Sequence, residues 1–250
     1  MEQVIAFKSP LAQPWHQLAL EIVMLVCFAL TLRHAMSGWK TGRRYLMFDW
    51  LVALSYGIAM ELIAFTWLDN YTHAQFTVQL YHHKLPLYVT ALYVIFHYTG
   101  LRLAERQRAG LVEEALLAGL FICLIDVPFD LTGIAAGWWT WSDKDPNLAA
   151  RWAGVPVTSF YWYLTFGAIM SALCRLLRAK KTRLWLAPPI GLAVIPLGAI
   201  AFLPFHGLRW LGVPAGVIVA VHAGACVLLA LRGFWRPPAR QRSSARSSLP

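Results

Sequence analysis

The sequence predicts an all-α, polytopic membrane protein with seven transmembrane helices. Three observations carry that prediction. First, hydrophobic residues make up 58% of the 250-residue chain and charged residues only 14%, with a mean hydropathy of +0.53. A soluble domain carries about 25% charged residues. This chain could not coat a water-facing surface, so soluble globular, disordered, collagen-like and disulfide-scaffold classes are excluded. Second, seven stretches are long and apolar enough to cross a hydrocarbon core of ~30 Å, which takes ~20 helical residues. Third, basic residues concentrate in alternate connections.

The spans run, in order, about Trp15–Leu32, Leu46–Leu68, Leu85–Leu103, Leu111–Trp138, Val155–Leu177, Leu184–Phe205 and Trp210–Leu231. Connections are short except for 69–84 and 139–154. Residues 1–231 read as one domain, and 232–250 as an Arg-, Ser- and Pro-rich tail expected to be disordered. The four cysteines, at 27, 123, 174 and 226, all lie in apolar stretches and read as small buried hydrophobes. No CxxC is present, so neither a zinc site nor a dithiol is indicated.

Orientation follows from charge. One set of alternate connections carries Arg33, Lys40, Arg43 and Arg44; Arg102, Arg106 and Arg108; Arg175, Arg178, Lys180, Lys181 and Arg183; and five arginines from Arg232 to Arg246. That is seventeen basic residues, against five on the other side, which are Lys8, Lys84, Lys144, Arg151 and Arg209. The positive-inside rule then puts the N-terminus outside and the C-terminus in the cytoplasm, as expected for a bacterial inner membrane. The net charge of +10 is explained by anionic lipid at the inner face, not by nucleic acid. The first fifteen residues lack a positive n-region, so no cleaved signal peptide is expected. Oligomeric state is not legible.

Charged groups at membrane depth cost roughly 2.5–3.5 kcal/mol each. Asp49, Glu113 and Glu114 lie near the cytoplasmic ends of their spans and read as partners for basic loops. Glu21, Glu61, Asp126 and Asp130 fall in the outer half. Glu61 is on the order of 10 Å deep at 1.5 Å per residue. Asp126 and Asp130 share one helix face with Gly119, Cys123, Gly133 and Gly137, and Pro128 between them removes a backbone donor. Span three has a polar face of its own: His83, Pro86, Thr90, Tyr93, His97 and Gly100 recur at helical spacing. Such a face either bonds neighbouring helices or walls a cavity. Aromatic residues crowd the outer connections at Trp138-Trp139-Thr140-Trp141 and Phe160-Tyr161-Trp162-Tyr163. The cytoplasmic half shows no comparable convergence.

Several chemistries are excluded. No lysine follows Lys181, so a retinal Schiff base cannot form in the last span. The histidines do not form di-iron boxes. A second Asp-rich motif for magnesium diphosphate is missing. There is no P-loop, GxSxG or HExxH, and no inverted repeat is visible.

Taken together, Asp126-Val-Pro-Phe-Asp130, Gly137-Trp-Trp-Thr-Trp141, Gly154-Val-Pro156 and Phe160-Tyr-Trp162 resemble the membrane carotenoid-biosynthesis family of bacterioruberin-type and carotenoid 1,2-hydratases, or a sister of it. The Glu61 helix followed by Lys84-Leu-Pro-Leu-Tyr88 resembles that family's glutamate helix. The resemblance spans about residues 57–167. It departs at Trp67-Leu-Asp-Asn-Tyr-Thr-His73, where a longer loop replaces a compact Phe/Gly/Tyr stretch.

The resemblance implies water addition to a terminal C=C bond of an isoprenoid or other lipophilic chain. Glu61, Asp126 and Asp130 are the expected catalytic acids and bases. A carboxylic acid in a low-dielectric site can hold its proton at neutral pH and donate it. His83, Tyr93, His97, Trp139, Trp141 and Tyr161 are expected to bind substrate, the π faces stabilising a cation by roughly 0.5–2 kcal/mol each. No metal or redox cofactor is expected. Elimination and cyclisation stay open. So does a non-enzymatic transporter or lipid-binding protein that uses the carboxylates as proton or ligand sites.

Overall fold

In the computed structural model, which describes residues 4–178 and 183–234, the chain is mostly helical. The apolar stretches become seven helices: α1 (Trp15–Lys40), α2 (Tyr45–Ile63), α3 (Leu87–Arg106), α4 (Leu111–Ala135), α5 (Val157–Arg178), α6 (Ala187–Trp210) and α7 (Ala215–Phe234). Several boundaries move, and α1 runs past the predicted Leu32 to Lys40. Trp210 closes α6 instead of opening the last helix, because Pro214 starts the next helix after a short turn. α4 ends at Ala135, short of Trp138. Residues 235–250, most of the predicted tail, lie outside the described residues.

Six of the seven helices are long and apolar enough to cross a membrane, and α3 is not among them. Its place in the bundle accounts for this. Thirteen of its twenty residues are buried, and it packs against α1, α2 and α4. A helix enclosed by protein can carry Tyr93, His97 and Arg102 where a lipid-facing helix could not. By contrast α1, α6 and α7 leave large apolar side chains such as Val23, Val26, Ile200, Leu203, Val221 and Leu228 on the outside. That apolar belt is suited to lipid and compatible with an integral membrane protein.

The all-α expectation is corrected at one end of the bundle. There the described residues form seven short strands: β1 (Ile5–Phe7), β2 (Tyr71–His73), β3 (Val78–Leu80), β4 (Leu85–Pro86), β5 (Trp139–Trp141), β6 (Arg151–Trp152) and β7 (Val155–Pro156). They pair as β1-β3-β4, β2-β5 and β6-β7, all antiparallel. A long connection laid across a bundle end must satisfy its backbone N–H and C=O groups, and pairing the two long connections with each other does so. Between β3 and β4 the chain turns through Tyr81, His82 and His83, with φ of 50°, 57° and 64°. The predicted polar face of span three therefore loses its first member, because His83 is an exposed turn residue.

Candidate functional site

A cavity of about 370 Å³ lies at the sheet end of the bundle, within the range of small-molecule sites. α2 lines it with Met60 and Glu61, α3 with Tyr88, Leu92 and Tyr93, and α4 with Asp126, Phe129 and Asp130. α5 adds Ser159, Trp162 and Tyr163, and α6 adds Phe202, Phe205 and His206. β2 and β5 cover it with Tyr71, His73, Trp139 and Trp141.

The cover follows from strand geometry. Successive strand residues point to opposite faces. Tyr71 pairs with Trp141 and His73 with Trp139, while the intervening Thr72 and Thr140 point away and are exposed. Four large rings thus face the bundle from a two-stranded ribbon. Helix α4 sets the start of that ribbon. Its C-terminus is a Schellman motif: Gly137 N–H donates to the Ile134 carbonyl at 3.0 Å and Trp138 N–H to the Gly133 carbonyl at 2.8 Å. Gly137 takes the required positive φ, 69°. The chain then doubles back, and the Trp139 indole rests where a side chain on residue 133 would project, a place only glycine leaves open. Trp139 also stacks on Phe129, with ring centroids 5.3 Å apart.

Glu61 lies in the last turn of α2, which ends at Ile63. The next residues, Ala64–Leu68, wind into a wider π-type turn that stops at Asp69, φ 48°. Glu61 is 1% exposed. Its Oε1 accepts the Tyr71 hydroxyl at 2.6 Å. Its Oε2 lies 3.7 Å from His73 Nε2, too long for a hydrogen bond. Asp130 accepts the Ser159 hydroxyl at 2.9 Å. Asp126 is 1% exposed. It faces Asp130 and Tyr163, yet neither of its oxygens has a partner in hydrogen-bonding geometry. Both His73 nitrogens, the Tyr88 hydroxyl and Trp141 Nε1 are likewise buried without a partner. Most buried polar groups in proteins are satisfied, so this concentration around one cavity marks it as a place for a polar occupant.

Of the residues singled out in the sequence, Glu61, Asp126, Asp130, Tyr93, Trp139 and Trp141 line the cavity. His83, His97 and Tyr161 do not. His97 is fully buried behind Tyr93, its Nδ1 2.9 Å from the Tyr93 carbonyl oxygen. Tyr161 turns toward α6 and α7, against Phe202, Phe205 and His222. Glu21 has a structural partner: Thr77 donates to it from its backbone N–H at 2.8 Å and its hydroxyl at 2.5 Å, tying α1 to the sheet end. Tyr71, His73 and Ser159 are lining residues that sequence reasoning passed over. The signal was available for two of them, since Tyr71-Thr-His73 and Trp139-Thr-Trp141 both alternate as strands do. Among the described residues no three His, Cys, Asp or Glu side chains group as a metal site.

Outside the bundle, Lys144 Nζ donates to Asp69 at 2.5 Å. That hydrogen bond holds the Asp69 carboxyl below the usual carboxylate range and raises the Lys144 ammonium.

The opposite end of the bundle corrects a second expectation, because charges and aromatics converge there too. Arg102 pairs with Asp49 and Glu105, and Arg175 with Glu114. Arg178 reaches Glu105 at 3.0 Å and Asp49 and Glu114 at 3.6 Å. The Tyr45 hydroxyl donates to Glu105 at 2.7 Å, and both Arg102 and Arg178 lie over the Tyr45 ring. The expected pairing of Asp49 and Glu114 with basic residues is present, but the partners come from helix ends and the cluster is interior.

The chain belongs to the family described as a domain of unknown function, DUF7802, which matches residues 10–183. That match takes in α1 to α5 and the β2–β5 ribbon, and leaves out α6 and α7. No curated protein and no solved structure matches the chain.

Proposed function

We propose that this protein is an intramembrane acid/base enzyme acting on an isoprenoid or similarly lipophilic chain, with carotenoid hydratase-like chemistry. One observation carries the reading. Glu61, Asp126 and Asp130 lie on the wall of a single aromatic cavity, and among the described residues no lysine or arginine lines it. Buried carboxylates held without a lysine or arginine partner are costly for stability, and a reaction that moves protons gives them a use.

The proposed step adds water. A protonated carboxyl of the Asp126–Asp130 pair, or Glu61, gives its proton to the less substituted carbon of the terminal C=C bond. A C–H bond forms, the π pair is consumed, and a tertiary carbocation is left on the neighbouring carbon. The rings of Trp139, Trp141 and Tyr93 stabilise that charge. A water oxygen then bonds to the cation, and its proton passes to a carboxylate, restoring the acid. Nothing is oxidised or reduced.

The charge bias orients the proposal. The ion-paired end faces the cytoplasm and anionic lipid, and the cavity lies toward the outer face of a bacterial inner membrane, with seven spans. Reporters at Asp143 and after Arg240 should read opposite sides. Two reporters on one side would end the seven-span reading. For the chemistry, lipid extracts of a host making acyclic carotenoids are compared with and without the protein. A hydroxylated product is expected. An unchanged pigment profile, with the protein present in the membrane, rejects the proposal.

A further inference from the structure

We infer that the cavity at the sheet end is a binding site for an organic monocation, a protonated amine or quaternary ammonium group carried on an apolar chain.

Charge comes first. Four acidic residues line the cavity, Glu61, Asp126, Asp130 and Asp145; among the described residues no lysine or arginine does, and its two histidines are His73 and His206. The arginines of the bundle interior are engaged with Asp49, Glu105 and Glu114 at the other end. The second observation is independent of the acids being clustered. Asp126, 1% exposed, presents both oxygens without a partner, and so do both nitrogens of His73, whose side chain is 7% exposed. A neutral imidazole accepts a hydrogen bond from an ammonium N–H, as a carboxylate does.

The walls decide which cation fits. A hard inorganic cation takes six or more oxygen ligands, and this cavity alternates its carboxylates with rings. Alkylammonium groups suit such a box, because carboxylates supply the countercharge and aromatic faces supply the weakly polar surface that N-methyl groups prefer. Leu68, Leu92 and Phe202 continue the lining, so an apolar chain attached to the cation is also accommodated. The inference uses the same cavity as the proposed hydration, whose intermediate is itself a cation, but it needs no catalysis.

The test is direct binding to the purified full-length chain in nanodiscs of zwitterionic lipid, with protein-free nanodiscs as background. The probes are geranylamine, protonated at neutral pH, and geraniol, which share a chain and differ in charge. The ammonium should bind at least about tenfold more tightly than the alcohol. Asp126→Asn and Glu61→Gln should each remove about tenfold of the ammonium affinity and leave the alcohol unchanged. Glu113→Gln, away from the cavity, should change neither. Equal affinity of the wild-type protein for the two probes overturns the inference, and that comparison needs no variant to fold. Ammonium binding indifferent to both acid substitutions overturns it as well. Ammonium binding without hydrated pigment leaves this inference standing and removes the reaction. Hydrated pigment without a charge preference does the reverse.

Discussion

Two sets of three carboxylates sit at opposite ends of the same helices. On α2, Asp49 and Glu61 are twelve residues apart, and on α4 so are Glu114 and Asp126, about 18 Å in each case. At one end Asp49, Glu105 and Glu114 meet Arg102, Arg175 and Arg178, so the charges balance. At the other end Glu61, Asp126 and Asp130 meet hydroxyl groups and rings and, among the described residues, no lysine or arginine. The same residue types in the same helices therefore serve two ends. Paired acids fasten α2, α3, α4 and α5 together. Unpaired acids facing a cavity are poorly suited to fastening and well suited to exchanging protons or holding a cation. A buried pair contributes little net stability, yet losing one member is expensive. An unpaired buried carboxylate is already expensive, so neutralising it costs the fold little.

The largest expected effect separates the two ends by activity. Asp126→Asn or Asp130→Asn should lower turnover on a demonstrated polyene by about 10²–10⁴, with a melting temperature at or above wild type. Glu113→Gln serves as the inactive-site control. A melting temperature that collapses in both Asp→Asn variants would erase the contrast. Next, Arg102→Met leaves Asp49 fully buried with only Arg178 nearby, at 3.6 Å. It should cost about 3–5 kcal/mol by denaturant or thermal unfolding. Adding Asp49→Asn should recover part of that loss. If the double variant is no better than the single one, the pair is not the fastening. A smaller effect is expected at Gly133, where any side chain meets Trp139. Gly133→Leu should cost about 1–3 kcal/mol and weaken ligand binding, by displacing the ribbon. Unaltered binding in a folded variant would show that the ribbon does not shape the cavity.

The smallest effect belongs to the exposed pair outside both regions. Because Lys144 lowers the Asp69 pKa, the pair's contribution is present above the ordinary carboxylate range and is lost as pH falls through the lowered value. Both groups are exposed, and exposed ion pairs contribute little. Lys144→Gln should leave melting curves superimposable on wild type at neutral and acid pH.

The order and type of the helices were legible because a bilayer-length apolar run has few ways to fold, and burial depth then marks the acids it carries. The face shared by Asp126 and Asp130 was legible from their spacing alone. The stripe on α3 was legible only in part. Tyr93 reaches the cavity and His97 packs behind it, a difference set by what surrounds the helix and not by its periodicity. His83 fell off the stripe because the helix begins later than hydropathy suggests.

Sequence by itself thus determined the apolar, helical character of the chain, the seven helices and the face shared by Asp126 and Asp130. These are local properties, fixed by hydropathy and by the 3.6-residue period. Tertiary structure alone decided that Asp49 and Glu114 would find arginines while Glu61 and Asp126 would not. It alone brought residues 71–73 against 139–141, so that Tyr71 and His73 cover the acids. Both outcomes depend on pairings between segments more than fifty residues apart. Such pairings depend on how the whole bundle packs, which the spacing of residues within any one segment does not specify.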